Sequence, residues 1–460
     1  MPAPSANIFR EYDIRGVYGR DLTPDVAVLL GRAFVFAVRR AAAKERVRLT
    51  VGADVRLSSP DLKAGLVAGM LEAGADVVDL GPCPTPLQYF SLHRLEADGG
   101  VMITGSHNPP EYNGFKMSIG RQTIFGDGIQ DIRKIIETGA ARPAAEAGRL
   151  ETFDVISDYI WYLAGRFNSL AGLRVVVDSG NGTGGLVAPE LLKRLGAEVI
   201  ELYSEPDGRF PNHHPDPVVL ENIRDLRDAV LTHRAHAGIG YDGDSDRLGV
   251  VDEHGEPVWG DMLMVVFSRD VLRHHPGAAV IGEVKCSQRL YDDIARSGGR
   301  PIMWKTGHSL IKKKMKEESA VLAGEMSGHI FFADRYFGFD DAIYASLRLL
   351  EIIKKSGEPY GVRKLLRGIP ESVSTPEIRF DCPDEKKFGV VKAMQDAFRD
   401  YPNSMIDGIR ISFPDGWALV RASNTQPALV LRFEAVDQGS LQKIEGLVRG
   451  RLNEIVSAGD

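Results

Sequence analysis

The chain has 460 residues, 43% of them hydrophobic and 26% charged, with a formal net charge of −7. That length is a prior for about three domains, and the acidic balance argues against a general nucleic-acid or anionic-membrane binder. Three scattered cysteines (Cys83, Cys286, Cys382), a start unlike a secretory signal, and no apolar run near the ~18 residues of a membrane span predict a cytoplasmic globular protein without disulfides or structural zinc.

In chain order, strand-like runs occur at 49–52, 173–178 and 278–282. Each is followed by a segment that reads as a helix end, a small-residue turn and an apolar strand, at 71–80, 194–202 and 296–304. Glycine just past a helix supplies the left-handed conformation that ends it. A strand, a helix and a strand make a βαβ unit, and three copies predict three related α/β domains. Residues 138–148 are rich in Ala, Gly and Pro and read as a linker, and 355–361 and 368–376 are also breaker-rich. Beyond Pro376 the pattern changes. Runs at 408–413 and 417–421 flank Pro414-Asp415-Gly416 as a hairpin, 428–435 continues as a strand, and 441–456 has helical periodicity. The expected domains are therefore 1–150, 151–255 and 256–367, all mixed α/β, followed by a C-terminal α+β domain at 368–460.

Four loops carry candidate chemistry. Gly240-Tyr241-Asp242-Gly243-Asp244-Ser245-Asp246-Arg247 follows the apolar strand 237–240. Carboxylates at i, i+2 and i+4 cannot crowd together unscreened, and a divalent cation with hard oxygen ligands, Mg²⁺ or Ca²⁺, resolves the conflict. An EF-hand counted from Asp242 fails, because position 6 is Arg247 where glycine is required, and a DxDxT phosphatase would want Thr at Asp246.

Thr104-Gly105-Ser106-His107-Asn108-Pro109-Pro110 follows the strand 100–103 and puts a serine on a small-residue loop. Thr104 stands where a hydrolase elbow needs glycine, and His107, as the sequence neighbour, is not an obvious base for Ser106. Arg421-Ala422-Ser423-Asn424-Thr425-Gln426-Pro427 offers an arginine fork, hydroxyls and an amide, a good phosphate cradle. Gly324-Glu325-Met326-Ser327-Gly328-His329 can hydrogen-bond vicinal sugar hydroxyls. The Lys-rich run 312–316 reads as a solvated helix face, and His213-His214 as part of a Pro-rich loop.

Together these loops resemble the signature of the α-D-phosphohexomutase superfamily, in which a phosphoserine loop, a metal loop, a sugar loop and a phosphate loop follow in this order, one per domain. The resemblance runs from Phe9-Arg10-Glu11-Tyr12-Asp13-Ile14-Arg15-Gly16 to the last domain. It implies four domains around a central cleft. Gly105, Ser245 and Met326 are similar to the bacterial phosphomannomutase/phosphoglucomutase branch. The phosphoglucosamine mutase branch usually has Ala, Ala and Gln there. Gly52-Ala53-Asp54-Val55-Arg56 departs at Ala53, where the family often has Arg.

The resemblance implies reversible phosphoryl transfer between O1 and O6 of mannose and glucose phosphates, through phosphoserine at Ser106 and a hexose 1,6-bisphosphate that also serves as activator. Mg²⁺ would be held by Ser106, through its phosphate, with Asp242, Asp244 and Asp246. Lys116 and His308 are the implied acid and base, with Arg15 assisting and His107 in the same catalytic group. Tyr12, Arg247 and Lys285 would face the sugar phosphate. Glu325 and Ser327 would hold O3 and O4, with His329 beside them, and Arg421, Ser423, Asn424 and Thr425 would accept either phosphate. The expected partners are small sugar phosphates, not nucleic acid or membrane, and the expected state is a monomer or weak homodimer. A phosphoglucosamine mutase, a phosphatase and a sugar-phosphate binder without turnover are the alternatives.

Overall fold

The computed structural model describes residues 4–423 and 427–458. The chain divides into two compact units, Met1–Phe267 with Ser327–Leu365, and Ser268–Met326 with Leu366–Asp460.

The first unit holds two mixed sheets. In the larger, the strand order is Ile14–Val17, Tyr112–Ile119, Gly99–Ile103, Arg48–Ala53, Asp76–Pro82, Leu150–Thr152. Arg48–Ala53 lies between parallel neighbours and is buried from Leu49 to Ala53, Thr50 included. Helix Pro24–Ala42 shows how locally consistent the sequence is. Thr23 caps it by accepting from the Val26 N–H, Pro24 opens it, and Arg39 and Arg40 lie in its last turn, where cations suit the helix dipole. The turn glycines Gly74, Gly196 and Gly298 all have positive φ, and the strands that follow start at Asp76, Glu198 and Arg300.

In the second sheet the order is Pro257–Val258, Leu248–Val251, Ala237–Tyr241, Arg174–Asp178, Glu198–Leu202. Ala237–Tyr241 runs parallel to Arg174–Asp178 and antiparallel to Leu248–Val251, so the aspartate loop turns over the sheet's end. Aromatic packing ties the two halves of this unit. Phe90, on helix Thr85–Arg94, meets Tyr159 and Tyr162, on helix Val155–Ala164, at 5.2 and 5.1 Å between centroids, and Tyr162 stacks on Phe337. Such pairs contribute about 0.5–1.5 kcal/mol each beyond burial.

The second unit contains the parallel strands Arg300–Trp304, Ala279–Glu283 and Leu322–Gly324, with helices Gln288–Arg296 and His308–Glu318. It also contains an antiparallel sheet built on Ala428–Ala435, Gly416–Ala422 and Ile409–Phe413. Helices Asp384–Ala397 and Gln438–Ala458 close the core of that sheet through Val390, Met394, Leu441 and Val448. The expected hairpin, strand and helix are all found, and the breaker-rich 368–376 segment holds one short strand, Val373–Ser374. The fold class is the expected one, mixed α/β followed by α+β. Among the described residues no helix is long and apolar enough to cross a membrane.

Candidate active site

The Ser106 loop leaves the strand Gly99–Ile103 and returns as Tyr112–Ile119, which pairs Lys116 with Met102. Ser106 is 3% exposed and has φ +50°, a conformation rare outside glycine. Its N–H donates to Thr104 Oγ1 at 2.8 Å, and the Asn108 N–H closes a turn on the Gly105 carbonyl. The Ser106 hydroxyl donates to Asp242 Oδ2 at 2.9 Å and lies 3.1 Å from His107 Nδ1. A hydroxyl has one proton, so with that proton on Asp242 the His107 contact is Nδ1–H donating to Oγ. Burial, Arg247 and Arg15 push the His107 pKa well below its usual value, which disfavours charge on the ring.

The aspartate loop fits against the serine loop through missing side chains. A Cβ on Gly243 would lie 2.5 Å from the Ser106 carbonyl oxygen. Asp242, Asp244 and Asp246 are all 0% exposed, and their ligand atoms lie within 4.8 Å of one another. Asp242 Oδ1 accepts from the N–H groups of Asp246 and Arg247, both at 3.1 Å. Asp244 Oδ2 accepts from Thr85 Oγ1 at 2.5 Å and from Lys116 Nζ at 2.8 Å, and the same ammonium reaches Asp246 Oδ2.

Burial and the neighbouring carboxylates raise the Asp242 pKa well above the usual range. Burial opposes charge on Asp244 too, but Lys116 and Thr85 outweigh it and hold that carboxylate low. Burial likewise works against the Lys116 charge, and Asp244 and Asp246 overcome it, leaving its pKa well above normal. Asp244 Oδ1 and Asp246 Oδ1 are buried without a hydrogen-bond partner among the described residues. Orphaned carboxylate oxygens in a three-carboxylate nest are the donor set of a hard divalent cation, and the residues fit one.

Further expected residues belong to the same unit. Arg247 Nε donates to His329 Nε2 at 3.0 Å, which leaves the His329 proton on Nδ1, 3.2 Å from Asp340 and 3.5 Å from Asp246. Arg15 donates to Asn108 Oδ1 at 3.1 Å and pairs with Asp13. Tyr12 stands in the bend before strand Ile14–Val17, and Ser327 lies in the turn two residues before His329.

In the second unit, Lys285 Nζ pairs with Glu377 Oε2 at 3.2 Å, and Arg421 Nε pairs with Asp407 Oδ2 at 3.0 Å. Glu325 accepts from the Gly307 N–H at 3.1 Å, next to His308 at the start of its helix. Burial disfavours charge on Lys285, yet Glu283 and Glu377 raise its pKa. The Ser423 carbonyl accepts from Lys387 Nζ at 2.6 Å. Asn424 and Thr425 lie outside the described residues. The structure thus brings Ser106, His107, Lys116 and the three aspartates into one cluster, with Arg247 and His329 at its edge. Lys285, His308, Glu325, Arg421 and Ser423 belong to the other unit.

Models of phosphoglucomutase/phosphomannomutase match four stretches of the chain: alpha/beta/alpha domain I over residues 6–142, domain II over 157–255, domain III over 259–370, and the C-terminal domain over 377–450. The chain belongs to the phosphoglucomutase/phosphomannomutase family. As a member of that family it is an enzyme, a hexose-phosphate mutase. It is 45% identical to a phosphomannomutase/phosphoglucomutase of Pseudomonas aeruginosa over 459 residues, covering 99% of this chain and 98% of the relative. It is 43% identical to a phosphoglucomutase of Neisseria gonorrhoeae over 449 residues, covering 97% and 96%. A crystal structure of a phosphoglucomutase/phosphomannomutase family protein from Burkholderia thailandensis superposes with a TM-score of 0.91 at 42% identity, covering 98% of each chain.

Five residues to which the motifs assign no role support these loops, Asp54 and Arg56 among them although they stand in the Gly52-Ala53-Asp54-Val55-Arg56 motif. Arg56 and Asp54 underlie the serine loop, Thr85 holds Asp244, Asp340 faces His329, and Glu283 holds the turn that carries Glu325. Buried Glu283 accepts from Thr306 Oγ1 at 2.7 Å and from the N–H groups of Lys285 and Met326. The available signal was position: Asp54 and Glu283 lie at the carboxyl ends of parallel strands, where open α/β sheets place their sites.

Proposed function

We propose that the chain moves a phosphoryl group reversibly between O1 and O6 of mannose and glucose phosphates, with Ser106 as carrier. The observation that carries this reading is the Ser106 hydroxyl buried 2.9 Å from Asp242 in a carboxylate nest where Asp244 Oδ1 and Asp246 Oδ1 accept no hydrogen bond among the described residues. A hydrolase would aim a base and water at its serine, whereas this one is set beside three buried carboxylates. Asp242, Asp244 and Asp246, with the phosphate of Ser106, would hold Mg²⁺, which when bound neutralises charge on the transferring group.

Phosphoserine gives its phosphoryl to a free sugar hydroxyl. The Oγ–P bond breaks as the sugar O–P bond forms, and the hydroxyl proton passes to a base. The resulting 1,6-bisphosphate turns over and returns its other phosphate to Ser106. Lys116 and His308 serve as acid and base, with Arg15 and His107 assisting. Arg421, Ser423, Asn424 and Thr425 hold the phosphate that is not reacting, and Tyr12, Arg247 and Lys285 contact the sugar phosphate. Glu325, Ser327 and His329 read the hydroxyls that glucose and mannose share, so a difference at O2 is tolerated. The names of the similar proteins favour these hexoses over amino sugars. Gly105 agrees with this, since the phosphoglucosamine mutase branch usually has Ala there.

Glucose 1,6-bisphosphate is the proposed activator, since it can phosphorylate an empty Ser106. A cytoplasmic location and a monomer or weak homodimer complete the reading, the first supported by three free, buried cysteines. The test offers glucose 1-phosphate, mannose 1-phosphate and glucosamine 1-phosphate separately, with Mg²⁺ and a trace of the bisphosphate. Isomerisation of the first two, lost in Ser106→Ala, is expected. Preference for glucosamine 1-phosphate, or phosphate release as fast as isomerisation, overturns the assignment.

A further inference from the structure

We propose that Arg56 is a positioning residue that locks the serine loop in its reactive shape, and that this lock separates transfer to sugar from loss of the phosphoryl group to water. The proposal rests on Ser106 being the phosphoryl carrier.

A guanidinium has five N–H donors in a fixed fork. In Arg56 all five are used. Nε donates to Asp54 Oδ2 at 3.1 Å, Nη1 to the carbonyls of Pro109 (2.6 Å) and Tyr112 (3.0 Å), and Nη2 to those of Ser106 (2.7 Å) and Asn108 (2.6 Å). Four carbonyls from seven consecutive residues of one loop therefore point at one buried cation, and the side chain is wholly excluded from solvent. Asp54 completes the device. Besides pairing with Arg56, it accepts from the Gly105 N–H at 3.1 Å and from Ser59 Oγ at 2.5 Å.

The consequence falls on Ser106. Its φ of +50° is disfavoured for a residue with a Cβ, and such a conformation persists only where its surroundings over-determine it. Here Thr104 holds the Ser106 N–H, Arg56 holds its carbonyl, and Asp54 holds the preceding amide. Lysine cannot replace this fork, because it is a point charge with three donors. Arg56 touches neither of the reacting oxygens in this scheme and acts through the loop alone.

The experiment compares Arg56→Lys with wild type and with Arg348→Lys. Arg348 is an equally buried arginine of the same unit, paired with Asp334 at 2.8 Å and lying over the Phe332 ring. Peptide mapping first establishes that wild-type Ser106 carries phosphate. Its absence from Ser106 after incubation with glucose 1,6-bisphosphate would overturn the carrier assignment and the lock with it. Melting temperature, kcat, KM and the release of inorganic phosphate from labelled phosphoenzyme are then measured for each protein.

Arg56→Lys is expected to lose about 100-fold in kcat, the scale of an ångström-sized misplacement, with KM nearly unchanged. Phosphate release per isomerisation should rise. Arg348→Lys should lower the melting temperature and leave the partition between transfer and hydrolysis as in wild type. An Arg56→Lys enzyme whose partition matches wild type, whatever its stability, reduces Arg56 to a structural role and overturns the proposal. Should that variant fail to fold, Gly105→Ala decides. It keeps the charge but forces the loop off a guanidinium that would lie 2.5 Å from the new Cβ. The same fall in kcat and rise in phosphate release supports the lock, and a normal partition overturns it.

Discussion

Thr85 binds both ends of Asp244. Its hydroxyl donates to Asp244 Oδ2 at 2.5 Å, and its backbone N–H donates to the Asp244 carbonyl at 2.9 Å. A residue opening helix Thr85–Arg94 thus sets the orientation of a carboxylate 159 positions later in the chain. Replacing Thr85 with Val keeps the shape and removes the hydroxyl. Affinity for Mn²⁺, read by electron paramagnetic resonance as a stand-in for Mg²⁺, should fall by about 10–100-fold, the usual effect of losing a hydrogen bond that orients a metal ligand. Unchanged affinity would mean that Asp244 does not ligate the ion.

Lys116 pairs with both Asp244 and Asp246. Lys116→Met leaves two buried carboxylates without it. The metal-free protein should lose about 3–5 kcal/mol of stability, as when one partner is removed from a buried pair. Isomerisation should slow by about 10²–10⁴-fold if Lys116 transfers a proton. Mg²⁺ should restore much of the stability in denaturant titrations without restoring the rate. Recovery of both would leave Lys116 with no chemical role.

Asp242 behaves oppositely. Burial and its two carboxylate neighbours raise its pKa, so the metal-free protein favours its uncharged form. Asp242→Asn should therefore fold as stably as wild type in chelator. Wild type should gain about 2.7 kcal/mol at a Mg²⁺ concentration 100 times Kd, and the variant should gain almost none. Thermal melts with and without Mg²⁺ measure both quantities, and an equal gain in the two proteins would place the ion elsewhere.

His213 supplies a pH dependence away from the catalytic cluster. Burial lowers its pKa, but hydrogen bonding to Asp178 at 3.1 Å and that carboxylate's charge outweigh burial and raise it above 6.5. A raised folded pKa means that the protonated ring stabilises the fold below the unfolded value. That contribution is lost as pH rises through the folded value. Nuclear magnetic resonance should show His213 titrating high in wild type and lower in Asp178→Asn. Urea melts should show stability falling across that pH range in wild type and falling less in the variant.

Much of this was legible in the sequence because it is local. Three aspartates at alternating positions after an apolar strand mark a candidate cation site within eight residues, and glycines after helices mark the turns into Asp76, Glu198 and Arg300. The contact of Ser106 with Asp242 spans 136 positions and depends on how two sheets pack, which no periodicity encodes. Thr85 and Glu283 were hidden for the same reason. Each looks ordinary in its own segment, and each matters through carbonyls, hydroxyls or amides supplied from far along the chain. His107 shows the limit in the other direction: adjacency in sequence suggested little, yet the turn at Ser106 brings its ring to 3.1 Å from the hydroxyl.

The missing Cβ of Gly243 and the carbonyl of Ser106 form a lock cut from two separate stretches of chain, since a methyl group on one would lie 2.5 Å from the other. Recombination among relatives must respect that fit. A crossover between the two loops joins a serine turn to an aspartate turn shaped for a different partner, while one placed beyond strand Leu248–Val251 inherits both halves together. Residues 1–251 are in this sense a single heritable cassette, and shuffled libraries built with breakpoints outside it should retain far more working enzymes than libraries that cut within it.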